Sequence, residues 1–181
     1  MAEETDSCAV AHGETTAAGR QGAGESLGTA ERTLVAVFAS AVSGFLLRYA
    51  ADAGYRPLLV EPDADRAAGA AMAGFTIKGA VPEDLEGADI VVTDHHRGEL
   101  GPMLRDCLAT KARWIGVMGN PRHPAPHIPA LEALGVPPGE IARVHRPIGL
   151  NIGSRTPPEI AIATLAGLIA DRNSRPGGVH F

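Results

Sequence analysis

The chain of 181 residues has two cysteines, Cys8 and Cys107. They stand far apart, so neither a disulfide framework nor a Cys-x-x-Cys metal site is available, and a reducing cytoplasm fits. Lysine and arginine form no block or stripe and the formal net charge is -5, so the electrostatic footprint of a nucleic-acid or anionic-membrane partner is missing. Small molecules and other proteins are the expected partners. No apolar run approaches the roughly 18 residues that span a bilayer, and the N-terminus opens with Glu3, Glu4 and Asp6, not with basic residues before an apolar stretch. No export signal is expected.

Residues 1–31 have no aromatic residue and almost no large aliphatic, and are mostly Gly, Ala, Ser, Thr and Glu. Such a segment buries too little apolar area to offset chain entropy, and is expected to be a disordered polar tail. The remainder is long enough for one domain with a substantial core, expected over 32–173, followed by a flexible C-terminus at 174–181. From Thr33 onward short apolar runs alternate with helix-like segments. That alternation predicts an α/β Rossmann-like three-layer fold with a mainly parallel sheet.

The expected strands are Leu34–Phe38, Pro57–Val60, Phe75–Ile77, Ala88–Thr93 and Arg113–Met118. Helices are expected over 43–53, stopped by Gly54, over 65–73, over 100–108, and from near Ile128 to no later than Gly135, because four prolines crowd the chain before it. A short turn is expected at 82–85. The last helix, 157–172, has the clearest start: Thr156-Pro157-Pro158-Glu159 offers an N-cap hydroxyl, an early proline and a capping-box carboxylate. Its apolar residues cover more than one face, which suits burial against the sheet and a homodimer contact equally.

The stretch VFASAVSG, residues 37–44, leaves the first strand where a dinucleotide-binding loop would carry Gly-x-Gly-x-x-Gly. Ala39 and Ala41 stand at the first two glycine positions and only Gly44 remains, which relaxes the grip on a diphosphate. Gly44 is expected to let helix and strand pack closely, so that a bulky replacement damages folding. Ser40 and Ser43 could donate hydroxyls to an anion at the helix start. Glu61 falls near the roughly 20-residue offset of the acid that binds ribose hydroxyls, and a carboxylate there repels a 2′-phosphate. The competing reading is a tight helix–strand turn with Glu61 as an ordinary loop acid.

Two further loops lie at the carboxyl ends of strands, where open α/β sheets bind ligands. Thr93, Asp94, His95 and His96 follow the fourth strand; a solvated or ligand-facing loop is favoured over a metal site, since sequence neighbours seldom point at one ion. Gly119, Asn120 and Arg122 follow the fifth, and Arg122 is a candidate anion contact. Asn151, Gly153, Ser154 and Arg155 precede the last helix, in a turn that either reaches the ligand edge or only docks that helix, with Ile148, Leu150 and Ile152 as core anchors. No nucleophile–base pair is evident, so no catalytic residue and no metal ligand is assigned.

The segment PIGLNIGSRTPPEIA resembles the C-terminal signature of the XdhC/CoxI family, whose usual form reads approximately PIGLDIGARTPEEIA. ARWIGVMGNPRH, ALGVPPGEIARVHRPIG, and VAVFASAVSG through LLVEPD resemble further family segments, so the likeness covers about residues 33–172. The resemblance implies the Rossmann domain of an accessory protein that binds molybdenum cofactor, as molybdopterin or its dinucleotide form, and serves a molybdenum hydroxylase apoprotein of the xanthine or carbon monoxide dehydrogenase type. A chaperone role is implied more than turnover. A cysteine desulfurase and a separately encoded protein of the XdhC N-terminal type are further implied partners. The family's additional N-terminal domain, with its cysteine, is replaced here by the polar tail, and that role is not carried over to Cys8. Asn151 stands for the signature aspartate, and Asn120-Pro121-Arg122 for Ser-Arg-Arg. Two rivals remain: an NAD-dependent oxidoreductase using Asp94, His95 or His145 as acid or base, and a degenerate module that binds only a partner protein.

Overall fold

The computed structural model describes residues 32–71, 74–120 and 122–178. The expected tail at 1–31, with Cys8, lies outside the described residues, as do 72, 73, 121 and 179–181. Six parallel strands form one sheet in the order β3-β2-β1-β4-β5-β6. They are β1 (Arg32–Val37), β2 (Tyr55–Val60), β3 (Thr76–Lys78), β4 (Asp89–Val92), β5 (Trp114–Val117) and β6 (Val144–His145). The helices are α1 (Ala41–Asp52), α2 (Ala64–Ala71), α3 (Leu100–Leu108), α4 (His127–Glu132), α5 (Pro138–Ile141) and α6 (Pro157–Arg172).

The sheet is buried because helices cover both of its faces, and the alternation along β1 shows how. Leu34 and Ala36 point to one face, against Leu46, Leu47 and Ala50 of α1 and Leu165 and Leu168 of α6. Val35 and Val37 point to the other, against Leu100 and Leu104 of α3, Leu131 of α4 and Ile141 of α5. Cys107 is in this second layer, where burial pushes its thiol up to about 12, so it is a packing residue and not a reactive one.

Two elements, β6 and α5, lie outside the sequence expectation. β6, with two residues, is too short to leave a pattern, and α5 is a single turn behind Pro137. Residues 79–88, which cross from β3 on one side of β1 to β4 on the other, contain no helix. The strand order reverses around β1, so the carboxyl ends of β1 and β4 part there and leave the crevice typical of such sheets.

Which end α6 presents to that crevice is fixed by polar contacts at the opposite, amino edge. Asp89, 2% exposed at the start of β4, accepts from Arg113 Nε at 2.7 Å, and Arg113 also reaches Asp171 near the end of α6 at 2.6 Å. Arg172 donates to the Tyr55 hydroxyl at 2.5 Å. Burial pushes the Asp89 carboxyl up from its ordinary value while Arg113 pulls it down. With its C-terminus held at the amino edge, α6 must start at the carboxyl edge. The turn at 151–155 therefore lies on the same rim as the loops after β1, β4 and β5.

Candidate functional site

The loop between β1 and α1 is built on one unusual residue. Phe38 has φ +74°, in the left-handed region that a bulky residue seldom adopts. It is fully buried, its N–H donates to Val60 O at 2.8 Å and its carbonyl accepts from the Thr93 hydroxyl at 2.9 Å. The chain therefore reverses at Phe38, one residue before the position where a fingerprint glycine would stand. Ala39 and Ala41 keep ordinary backbone angles and need no glycine.

Ser40 is the N-cap of α1. Its hydroxyl oxygen accepts from the Ser43 N–H at 3.0 Å, and the Ser43 hydroxyl oxygen accepts from the Ser40 N–H at 2.8 Å. Ser40 Oγ also bonds Thr93 Oγ1 at 3.2 Å, which ties the loop to the end of β4. Both serines are therefore engaged in the loop itself. The amides of Ala41 and Val42 precede the first intrahelical bond, the position at which helices hold anions.

Gly44 does not pack against a strand. A Cβ built on it meets nothing within 4 Å, and the residue lines a hollow of about 110 Å³ with Ala39, Leu59 and Phe75. The expectation of close packing at Gly44 is therefore corrected: the space is open because Phe38, not Gly44, sets how the loop leaves the sheet. Gly44→Ala should raise stability by about 0.5–1 kcal/mol, the ordinary gain of alanine over glycine inside a helix. A lower urea midpoint for this variant would contradict the open hollow.

Glu61 is the most constrained of the expected residues. Its side chain is fully buried at the end of β2, with Oε2 accepting from the Ala39 N–H at 2.7 Å and Oε1 from the Asp63 N–H at 3.0 Å. Arg97, its side chain 9% exposed, donates to both oxygens at 3.0 and 3.4 Å. The same guanidinium lies 4.7 Å from the centre of the Phe38 ring. Arg97 was not anticipated; it sits where a diol would meet Glu61, and a ligand engaging that carboxylate must displace it.

The remaining expected residues form two other groups on the rim. The His95 and His96 rings lie 4.0 Å apart, tilted by 39°, while Asp94 accepts from the His96 N–H at 2.9 Å. Burial, then His96 and Arg146, hold the His95 imidazole below its ordinary value, with Asp94 and a bond to the Met118 backbone opposing them. Among the described residues no cluster of three His, Cys, Asp or Glu side chains could hold a metal ion. After β5, Asn120 accepts from the Arg122 N–H at 3.0 Å and Arg122 extends into solvent. Arg146, also unanticipated, clamps this loop by donating to the carbonyls of Asn120 at 2.9 Å and His123 at 3.3 Å.

The turn before α6 stands apart. Asn151, Gly153 and Arg155 are exposed and Ser154 is half-buried. The Glu159 carboxylate accepts from the Arg155 and Thr156 N–H groups at 2.8 and 3.0 Å. Those two bonds hold the carboxyl below its ordinary value. Among the described residues no hydrogen bond joins 151–155 to the β1 or β5 loops. Ile148 packs into the core beside α1 and α6, Leu150 is half-buried, and Ile152 is 55% exposed and anchors nothing. His145 stacks face to face on Trp114 at 5.0 Å.

Comparison with known proteins agrees with this architecture. The chain is 41% identical over 66 residues to the uncharacterized protein YqeB of Escherichia coli (strain K12), a match spanning 36% of this chain and 12% of YqeB. A crystal structure of a xanthine dehydrogenase from Bacillus halodurans superposes on 80% of this chain and 45% of its own with a TM-score of 0.60, at 21% identity, a likeness of fold. The chain thus spans less than half the length of either. The family model described as the XdhC Rossmann domain matches residues 34–168. With a parallel sheet reversing around β1, a capped loop at 39–44 and that match over most of its length, the chain belongs to the XdhC Rossmann domain family.

Proposed function

We propose that this domain is an XdhC-like accessory module of the cytoplasm that binds molybdenum cofactor and assists maturation of a molybdenum hydroxylase. The family match over residues 34–168 carries the reading. The chemistry of the carboxyl rim supports it: the amides of Ala41 and Val42 offer an anion site, and the guanidinium of Arg97 is linked through Glu61 to the Ala39 N–H of the same loop. A phosphate arriving at α1 could draw Arg97 from Glu61, which frees the carboxylate for a hydroxyl or ring N–H of the ligand. Thr93, the 94–96 loop, Asn120, Arg122 and the 151–155 turn would border the rest of the ligand. Among the described residues of this rim no nucleophile–base pair is formed, and the proposed role is binding and transfer.

The test is the heat stability of the purified full chain with released molybdopterin, NAD and NADP, together with mass spectrometry of any ligand that co-purifies. A rise in Tm with molybdopterin and none with NAD or NADP is expected. Stabilisation by NAD alone, with hydride transfer to a substrate, would overturn the proposal in favour of an oxidoreductase.

A further inference from the structure

A separate cleft of about 390 Å³ opens between α4, α5 and β6, away from the loop at 39–44. Ile128, Ile141 and Val144 line it with hydrocarbon, and its polar groups come from His127, Glu132 and Arg146. The size is at the lower end of the range for small-molecule sites.

The electrostatics of the cleft are incomplete. Arg146 carries a guanidinium, a group with donors and no acceptor, yet among the described residues no carboxylate pairs with it. Its terminal nitrogens serve only the carbonyls of Asn120 and His123, and its Nε is buried without a partner. The guanidinium occupies the space that a side chain at position 119 would fill: a Cβ on Gly119 would lie 2.6 Å from that Nε. His127 is 4% exposed and its Nδ1 is likewise buried without a partner. Burial and the Arg146 charge hold its imidazole below the ordinary value, so near neutral pH it adds a hydrogen-bonding group and no second cation. Buried polar atoms are normally satisfied, which makes Arg146 Nε and His127 Nδ1 exceptions that need a cause.

The missing component is one negative charge attached to an apolar body. A dianion fits poorly, because Glu132 lines the same cleft and only one guanidinium faces it. We propose that the cleft binds a small organic monocarboxylate, its carboxylate on Arg146 beside His127 and its hydrocarbon against Ile128, Ile141 and Val144. This site does not depend on the cofactor-binding reading, and either can fail without the other.

Titration of the isotope-labelled full chain with benzoate, followed by NMR, tests it, with uncharged benzamide and inorganic phosphate as parallel probes. Benzoate should move the Ile128 and Ile141 methyl and His127 ring resonances saturably, whereas benzamide and phosphate should not. Arg146→Gln should weaken the response at least tenfold. Because Arg146 also clamps the 120–123 loop, Ala142→Phe provides a second variant: it fills the cleft, leaves Arg146 in place, and should abolish the response in a protein whose other resonances are unchanged. Equal shifts with benzamide or phosphate, no saturation below about 10 mM benzoate, or an undiminished response in folded Ala142→Phe protein would each overturn the assignment.

Discussion

Gly167→Ala should destabilise the domain by about 2–3 kcal/mol, although alanine is the better residue for a helix interior by about 1 kcal/mol. The reversal comes from what rests on α6. A Cβ on Gly167 would lie 2.8 Å from Gly149 Cα, which is backbone and cannot swing aside. Gly149 in turn has φ +84° and lies so close to the Ala163–Thr164 backbone that its own Cβ would meet it at 3.0 Å, while the Leu150 N–H donates to Ala163 O at 2.9 Å. The segment after β6 is thus laid backbone-to-backbone on the last helix, and two glycines permit it. Urea unfolding decides the matter, with Gly44→Ala as the matched control on α1. If both helix glycines tolerate alanine equally, the close approach is wrong.

Arg97→Ala should cost about 3 kcal/mol, the largest effect expected of any side chain on the carboxyl rim. It would leave the fully buried Glu61 carboxylate with two backbone N–H donors and no counter-charge, and would uncover the Phe38 ring at the strained turn. Glu61→Gln should be comparably harmful, because an amide places a donor where two N–H groups and a guanidinium all seek acceptors. The two changes should not add: a double-mutant cycle is expected to give a coupling above about 1.5 kcal/mol. Additive losses would mean that the pair does not hold the loop. Single variants that stay folded also bear on the cofactor proposal, since Arg97→Ala removes the group that any ligand of Glu61 must displace.

Much of this protein is legible in its sequence, because many of its signals are local. The βα alternation, the start of α6 at Thr156-Pro157-Pro158-Glu159 and the family signature at 147–161 all depend on residues within a turn or two of one another, and the sheet, the capping box and the family match agree with them. The position of the loop at 39–44 was legible for the same reason.

What the sequence could not give were relations across distance. Arg97 reaches Glu61 from 36 residues away and Arg146 reaches Asn120 from 26, and neither pairing leaves a periodic trace. β6 is a strand only because β5 is beside it, and Phe38 takes a left-handed turn only because Val60 and Thr93 hold its backbone from neighbouring strands. Two glycines in helices look alike in the chain, yet Gly44 faces a hollow and Gly167 faces backbone. Local pattern determined which segments are strands and helices and which family they compose. Packing decided which charges are spent inside the fold and which cleft, among the described residues, keeps one without a carboxylate partner, because burial and pairing exist only once the segments are brought together.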